Sequence, residues 1–170
     1  MELQRVSFEL DCEVLPKQTK ENVHMFTRGG KAFMGRKTPD EVFANALEIL
    51  LKCQQFRPEV PLRGPVKAWI VIYIPFPKKR PDGCPQDATI WPKCTRPDCD
   101  NLSKQLLDVL ESAGFFEVGD GQVFKLEVDK YWIRQERPSV FIELQESDGT
   151  VIGCPHAKER QLQWLKESVA

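Results

Sequence analysis

The sequence predicts a single α+β domain, in which one mixed β-sheet carries helices on one face. Three observations predict it. Apolar residues alternate with polar ones in segments near both ends, two segments repeat apolar residues at steps of three and four, and one nearly unbroken apolar run separates those two segments. The predicted order is β, α, β, α, β, β. We expect this domain to span residues 1–146 and residues 147–170 to form a C-terminal extension.

The first third of the chain predicts a strand, a loop and a helix. Residues 6–12 alternate as in a half-buried strand. Residues 16–37 mix glycines, basic residues and isolated aromatics without a period, which predicts a loop. Thr38 is suited to cap a helix and Glu41 to complete a capping box, and the apolar repeat that follows predicts a helix to about residue 53.

The middle of the chain predicts the centre of the sheet and a second helix. The run VKAWIVIYIPFP, residues 66–77, is typical of a central strand buried on both faces. The proline-rich residues 75–97 predict a long exposed loop, and such loops are often functional. A helix follows, with apolar residues on one face, and Gly114 marks its end.

Two further strands are predicted from alternation at residues 124–132 and 139–144, and the short polar turn between them indicates an adjacent antiparallel pair. Residues 157–169 fit a final amphipathic helix.

Composition excludes several classes of protein. A net charge of -1 and a pI near 6.2 argue against a protein that coats nucleic acid indiscriminately, although residues 61–96 hold seven basic residues against two acids. No apolar run approaches the roughly 20 residues of a membrane span, and the start MELQRVSFELDCEV resembles no targeting peptide. We therefore expect a cytoplasmic protein whose six cysteines are mostly free thiols.

The stretch TRPDCDNLSKQLLDVL, residues 95–110, places Asp98 and Asp100 where a loop becomes a helix, with Lys104 one turn later. Acids at a helix start are ordinary caps, and Asp100 is the natural cap here. On spacing alone, capping is favoured over a metal site.

A third acid, Asp120, lies in VGDGQV before the next strand, and Glu117 precedes it. If the three aspartates converge they repel one another, by about 4 kcal/mol for two charges about 4 Å apart at an effective dielectric of about 20, so a cation is needed. Carboxylates without histidine or thiolate partners suit Mg²⁺ or Mn²⁺, which can activate water and bind phosphate.

Residues 96–123, RPDCDNLSKQLLDVLESAGFFEVGDGQV, resemble the core signature of the RusA family of Holliday junction resolvases. These are crossover junction endodeoxyribonucleases of prophages and bacteria that act in DNA recombination and repair. The resemblance implies that Asp98, Asp100 and Asp120 ligate a catalytic Mg²⁺ and that Lys104 assists at the phosphate. It also implies a four-way DNA junction as substrate, and a homodimer, because symmetric nicking needs two sites related by a two-fold axis.

The chain departs from the family pattern in three ways. Gly119 stands where the family often has a first acid, so any supporting role of that acid is missing or passes to Glu117. The loop at residues 81–95 is longer than usual, and residues 147–170 extend past the usual last strand. The acidic pI bears on affinity for DNA rather than on chemistry.

Five basic residues are candidates for contacts with DNA phosphates, and the alternative for the first three is a solvated loop. They are Lys78, Lys79, Arg80, Lys93 and Arg96.

A zinc site is disfavoured, because the spacing of its candidate ligands is not one of the compact paired patterns. The candidates are Cys84, Cys94 and Cys99 with Cys154 or His156. Two other functions stay open: a non-catalytic DNA-binding protein of this fold, in which the acids only cap the helix, and a metal-dependent phosphohydrolase acting on nucleotides.

Overall fold

A computed structural model describes residues 3–17, 21–26 and 32–148. These residues form an α+β domain, as predicted, with a five-stranded mixed sheet of order β1-β7-β4-β6-β5 and a separate two-stranded sheet of β2 and β3. The predicted helix at residues 157–169 lies outside the described residues. The elements are β1 (Arg5–Leu10), β2 (Glu21–Phe26), β3 (Ala32–Lys37), α1 (Asp40–Cys53), β4 (Val66–Pro75), β5 (Ile90–Pro92), α2 (Cys99–Ser112), β6 (Val123–Ile133) and β7 (Ser139–Glu146).

Strand β4 is central, as its apolar run predicts. It pairs in parallel with β6 and antiparallel with β7. The prediction that β6 and β7 are neighbours is wrong, because β4 lies between them. Residues 134–138 need to cross only one strand, a distance of about 10 Å, and a short connection can do that.

The core lies between one face of the sheet and the two helices. Helix α2 presents the predicted apolar face, with Leu102, Leu106 and Leu110 fully buried against Ile70 and Ile142. Removing a side chain of this kind from water contributes roughly 1.5–3 kcal/mol. On the opposite face of β4, Lys67 and Trp69 are exposed, so the first half of this strand is buried on one face only, not on both as predicted.

Two predicted loops contain strands. Residues 16–37 include the antiparallel pair of β2 and β3. Backbone pairing does not require apolar residues to alternate, so the sequence showed no pattern that predicts these strands. Residues 75–97 include β5, a short edge strand that pairs with β6 and ends at Pro92, a residue that edge strands tolerate.

The start of α1 also differs from the prediction. The helix begins at Asp40 with Pro39 at the N-cap position and no side-chain capping hydrogen bond, so the capping box of Thr38 and Glu41 does not form. Capping preferences are weak when the entry of a helix is set by its packing, and Val42 of the first turn is buried.

Candidate active site

The first part of the candidate site is the N-terminal end of α2. Asp98 is the N-cap residue, with extended backbone, and Asp100 lies in the first turn. The prediction that Asp100 caps the helix is wrong, because the N-cap residue is Asp98 and the helix begins at Cys99. Asp98 makes no side-chain capping hydrogen bond. Both aspartates are exposed, so both carboxylates can accept a ligand.

Two lysines hold the loop that leads into Asp98. The ammonium group of Lys93 donates to the carbonyl oxygen of Thr95 at 3.2 Å, to its Oγ1 at 2.6 Å and to the carbonyl oxygen of Arg96 at 2.6 Å. Lys130 donates to the carbonyl oxygens of Thr95, at 2.7 Å, and of Pro97. The segment next to the first aspartate is therefore anchored by Lys93, which directly follows β5, and by Lys130 of β6.

Lys93 is buried, and its Nζ lies 4.3 Å from the centre of the Trp132 ring. Burial, and to a smaller extent the nearby charge of Lys130, lower the pKa of Lys93. All three of its donor hydrogens already have acceptors, which leaves this residue the least able of the five predicted basic residues to contact a phosphate.

Asp120 lies beyond the other end of α2, in a 3-10 turn that precedes β6. The side chain of Gln122 fixes this turn. Its Oε1 accepts hydrogen bonds from the backbone N–H of Val118 at 2.6 Å and of Gly119 at 3.3 Å. Its Nε2 donates to the carbonyl oxygens of Leu62 at 3.1 Å and Gly64 at 2.9 Å.

Asp120 belongs to a cluster of three carboxylates that sequence reasoning did not find. Oxygens of Asp108, Glu111 and Asp120 lie within 4.8 Å of one another, and Asp108 also forms an ion pair with Lys17. The spacing of Asp108 and Glu111 by three residues on one helix is the signal that places both beside the turn. Within the part of the chain that the structure describes, no other group of three or more such ligands comes this close.

Gly119 explains how Glu111 reaches the turn. A Cβ atom at this position would lie 2.8 Å from Glu111 Oε1, and the φ of 139° is one that other residues rarely adopt. Glu111 thus occupies the space that a side chain at position 119 would need. Glu117, the expected substitute, instead forms an ion pair with Arg63 at 3.3 Å.

One chain does not bring the three predicted ligands together. Asp108 lies eight positions after Asp100 on the same helix, which separates them by about 12 Å along the axis. Asp120 adjoins Asp108, so Asp98 and Asp100 face one end of the domain and Asp120 the other. Magnesium binds oxygens at roughly 2.0–2.1 Å, so a single ion cannot bridge this separation.

The remaining predicted residues divide into two groups. Lys78, Lys79, Arg96 and Lys104 are exposed and able to reach a phosphate. Arg80 is turned into its own loop, where it donates to the carbonyl oxygens of Pro85 and Ala88 and stacks over a phenylalanine ring.

The mixed sheet, the exposed aspartates at a helix start and the lysine-bearing loop beside them define a class of protein: an α+β protein with a carboxylate-rich surface next to a basic one. A family model described as endodeoxyribonuclease RusA matches residues 14–145. The chain belongs to this family of endodeoxyribonucleases. It is also similar to the uncharacterized protein YqaN of Bacillus subtilis (strain 168), with 30% identity over 120 residues, covering 68% of this chain and 81% of YqaN.

The described helices include none that is long and apolar enough to cross a membrane.

Proposed function

We propose that this protein is a Mg²⁺-dependent endonuclease that resolves Holliday junctions or other branched DNA in recombination and repair. Family membership supports the nuclease activity. The observation that carries the metal dependence is the state of Asp98 and Asp100: two exposed carboxylates at a helix start, with no capping hydrogen bond from Asp98. Because they are not engaged in capping, their chemistry fits a hard divalent cation such as Mg²⁺ or Mn²⁺.

Different residues of this chain would bind the metal ion, orient its ligands and contact the phosphate. Asp98 and Asp100 hold the ion, and the anchored loop at residues 95–97 fixes the direction of the first carboxylate. The ion, when bound, supplies a Lewis acid that activates the attacking water and offsets charge at the phosphate. Lys104, one turn along the exposed face of α2, adds a positive charge at the phosphate. Hydrolysis leaves 5′-phosphate and 3′-hydroxyl ends.

We further propose that two copies of the chain complete each metal site. If Asp98, Asp100 and Asp120 all ligate one ion, Asp120 has to come from the partner, because α2 separates it from the other two within one chain. A two-fold axis then produces two equivalent sites, one for each strand to be nicked in a junction. Binding of the exposed Lys78, Lys79 and Arg96 to phosphates would orient the DNA between them. A DNA substrate also fits the expected cytoplasmic setting.

The test is cleavage of a labelled synthetic four-way junction, compared with linear duplex, with and without Mg²⁺. We expect nicking of the junction only with Mg²⁺, and its loss in Asp100→Asn while junction binding persists. Asp82→Asn, at an exposed aspartate of the basic loop, is the matched control and should cut normally. Normal cutting by Asp100→Asn would contradict the assignment, and junction binding with no nicking by any variant would favour a non-catalytic DNA-binding protein.

A further inference from the structure

Strand β6 has an uncovered edge along its first half. On one side, β4 pairs with β6 from Val123 to Ile133. On the other side, β5 pairs with residues 131–133, and the backbone N–H of Lys93 donates to the carbonyl oxygen of Lys130 at 2.9 Å. Within the part of the chain that the structure describes, no strand pairs with residues 123–129 on that side. This stretch is the free edge of β6, and an edge of this kind is a template for pairing with another strand.

The free edge is accessible, and its backbone groups point outward. Residues 124–127 are all exposed, so neither face of the strand is covered there. The carbonyl group of Lys130 points to this side, and backbone groups point alternately to the two sides of a strand, so those of Leu126 and Val128 point to it as well. A strand placed alongside could donate hydrogen bonds to these groups and accept hydrogen bonds from them.

We propose that the free edge of β6 binds the free edge of a second copy of this chain, antiparallel and with a two-fold axis at Leu126. The two five-stranded sheets then form one continuous sheet across the axis. The proposal rests on the proposed function, because it names the interface through which two copies would share each metal site.

The side chains of the free edge are complementary to themselves in this register. With Leu126 opposite its own copy, Phe124 lies opposite the partner's Val128 and Lys125 opposite the partner's Glu127. The two-fold axis repeats each of these contacts, which gives apolar pairs and pairs of opposite charge on both sides of the centre. Cross-strand pairs of both kinds stabilise an antiparallel sheet.

The neighbouring registers lack this complementarity. A centre at Lys125 places two lysines opposite each other, and a centre at Glu127 does the same with two glutamates. Like charges directly opposite each other destabilise a strand pair. The charges of the free edge therefore select the register centred on Leu126.

The exposed side chains agree with this interface. Leu126 is 39% exposed although it pairs with the buried Ala68 of β4, so it lies on the helix side of the sheet, uncovered, at the proposed axis. Phe124 is 46% exposed. Within one chain, Lys125 Nζ lies 2.5 Å from Glu127 Oε1, and both side chains are more than half exposed. Such a surface pair is weak, so both charges are available to a partner strand.

The length of the free edge also fits. An antiparallel pair centred on Leu126 begins with Val123 opposite the partner's Asp129 and ends with the reverse contact. The next position, Lys130, is taken by Lys93, and β6 itself begins at Val123 after the 3-10 turn. The pairing would therefore fill the free edge and stop where β5 starts.

This arrangement brings the partner's Asp120 to the loop that leads into Asp98. The start of the partner's β6 lies opposite Asp129, and the partner's Asp120 is at most about 10 Å farther along its chain. The side chain of Lys130, the next residue, donates to the carbonyl oxygen of Pro97, which precedes Asp98. Because the axis is perpendicular to the sheet, the helices of both copies lie on the same side, and so do the aspartates at their ends.

The experiment measures the oligomeric state of the full chain without DNA, by sedimentation equilibrium. We expect the wild-type protein to be a dimer. Lys125→Glu and Glu127→Lys each place like charges opposite each other at two positions of the interface, so each should raise the dimer dissociation constant at least about tenfold. Both side chains are exposed, so the variants should keep the circular dichroism spectrum of the wild type.

Exchange of the two charges separates this interface from an indirect effect. The double variant Lys125→Glu/Glu127→Lys restores opposite charges at every pair and should dimerise as the wild type does. An equimolar mixture of the two single variants should form a heterodimer for the same reason. The matched control is Lys67→Glu, the same change on the same face but on β4, inside the edge, and it should alter the dissociation constant less than about threefold.

Single variants that dimerise as tightly as the wild type would overturn the proposal, as would a double variant or a mixture that stays monomeric. A monomeric wild-type protein would also overturn it and would leave the free edge to a strand of another protein.

The two proposals fail separately, because nicking of the four-way junction is measured on the same variants. Mg²⁺-dependent nicking by a protein whose dimer ignores these charges would remove the β6 interface and leave the nuclease assignment standing. A dimer that responds to the charges as expected, with no nicking by any variant or by the wild type, would do the reverse.

Discussion

Gln122 is predicted to hold the Asp120 turn against the rest of the domain, and its replacement by leucine tests this. The side chain makes four hydrogen bonds, two as acceptor and two as donor. At a net value of about 1 kcal/mol each, their sum is about 4 kcal/mol. Water can reach the groups at Val118 and Gly64, which are exposed, so we expect Gln122→Leu to lower the free energy of unfolding by about 2 kcal/mol.

The assay is urea denaturation monitored by circular dichroism. The slope of the unfolding free energy against urea concentration has to be the same in both proteins, so that a shift of the midpoint reports a change in stability. Gln55→Leu, which loses one exposed hydrogen bond of 3.2 Å, is the control and should change stability by less than about 0.5 kcal/mol. Junction cleavage by Gln122→Leu should fall as well, because Asp120 loses its fixed position. A stability change no larger than that of the control would refute this role of Gln122.

The other predictions concern the anchored loop and the cysteines. Lys93→Met and Lys130→Met should each reduce the rate of junction cleavage about tenfold or more, while junction binding persists; normal rates in both would show that the loop needs no anchor. Burial raises the pKa of Cys12 to about 11 and that of Cys53 to about 12, whereas Cys94 is exposed, so a disulfide reagent at pH 8 should modify Cys94 first and reach the buried pair only after unfolding. Because these two folded-state pKa values lie above the ordinary value of 9.0, the stabilisation from the neutral thiols is complete below pH 9 and is lost as pH rises toward 11 to 12. In urea denaturation, the free energy of unfolding should be about 1 kcal/mol lower per thiol at pH 10 than below pH 9. Cys12→Ala and Cys53→Ala should each weaken this dependence of stability on pH, and an unchanged dependence in both variants would contradict the reasoning.

Patterns that arise from burial on one face were readable in the sequence. The apolar repeat of α2 predicted a helix whose Leu102, Leu106 and Leu110 are fully buried, and the apolar run of β4 predicted the central strand. Partner choice within the sheet was not readable, because β6 and β7 carry the same alternation whether they pair with each other or with β4. The β2 and β3 pair was missed because its residues show no alternation at all.

For the site, the sequence pointed to three aspartates but indicated neither how they group nor that Asp108 and Glu111 lie beside Asp120. Local spacing placed Asp98 and Asp100 at a helix start, which the structure confirms. The length of α2 sets the distance from Asp98 and Asp100 to Asp120. A prediction that joins these three aspartates in one site has to account for that separation. The association of Asp120 with Glu111 depends on the absent side chain of Gly119, a contact that no one-dimensional pattern displays.

The central claim is that acids from two chains form each metal site, and mixing two inactive variants tests it most directly. Asp100→Asn and Asp120→Asn are each expected to be inactive alone. If the site is shared, a hybrid dimer contains one site with both native residues and one site with neither. Junction nicking should therefore return when the two proteins are unfolded together and refolded as a mixture. If every chain holds its own complete site, no hybrid is intact, and a mixture as inactive as its components would contradict the claim.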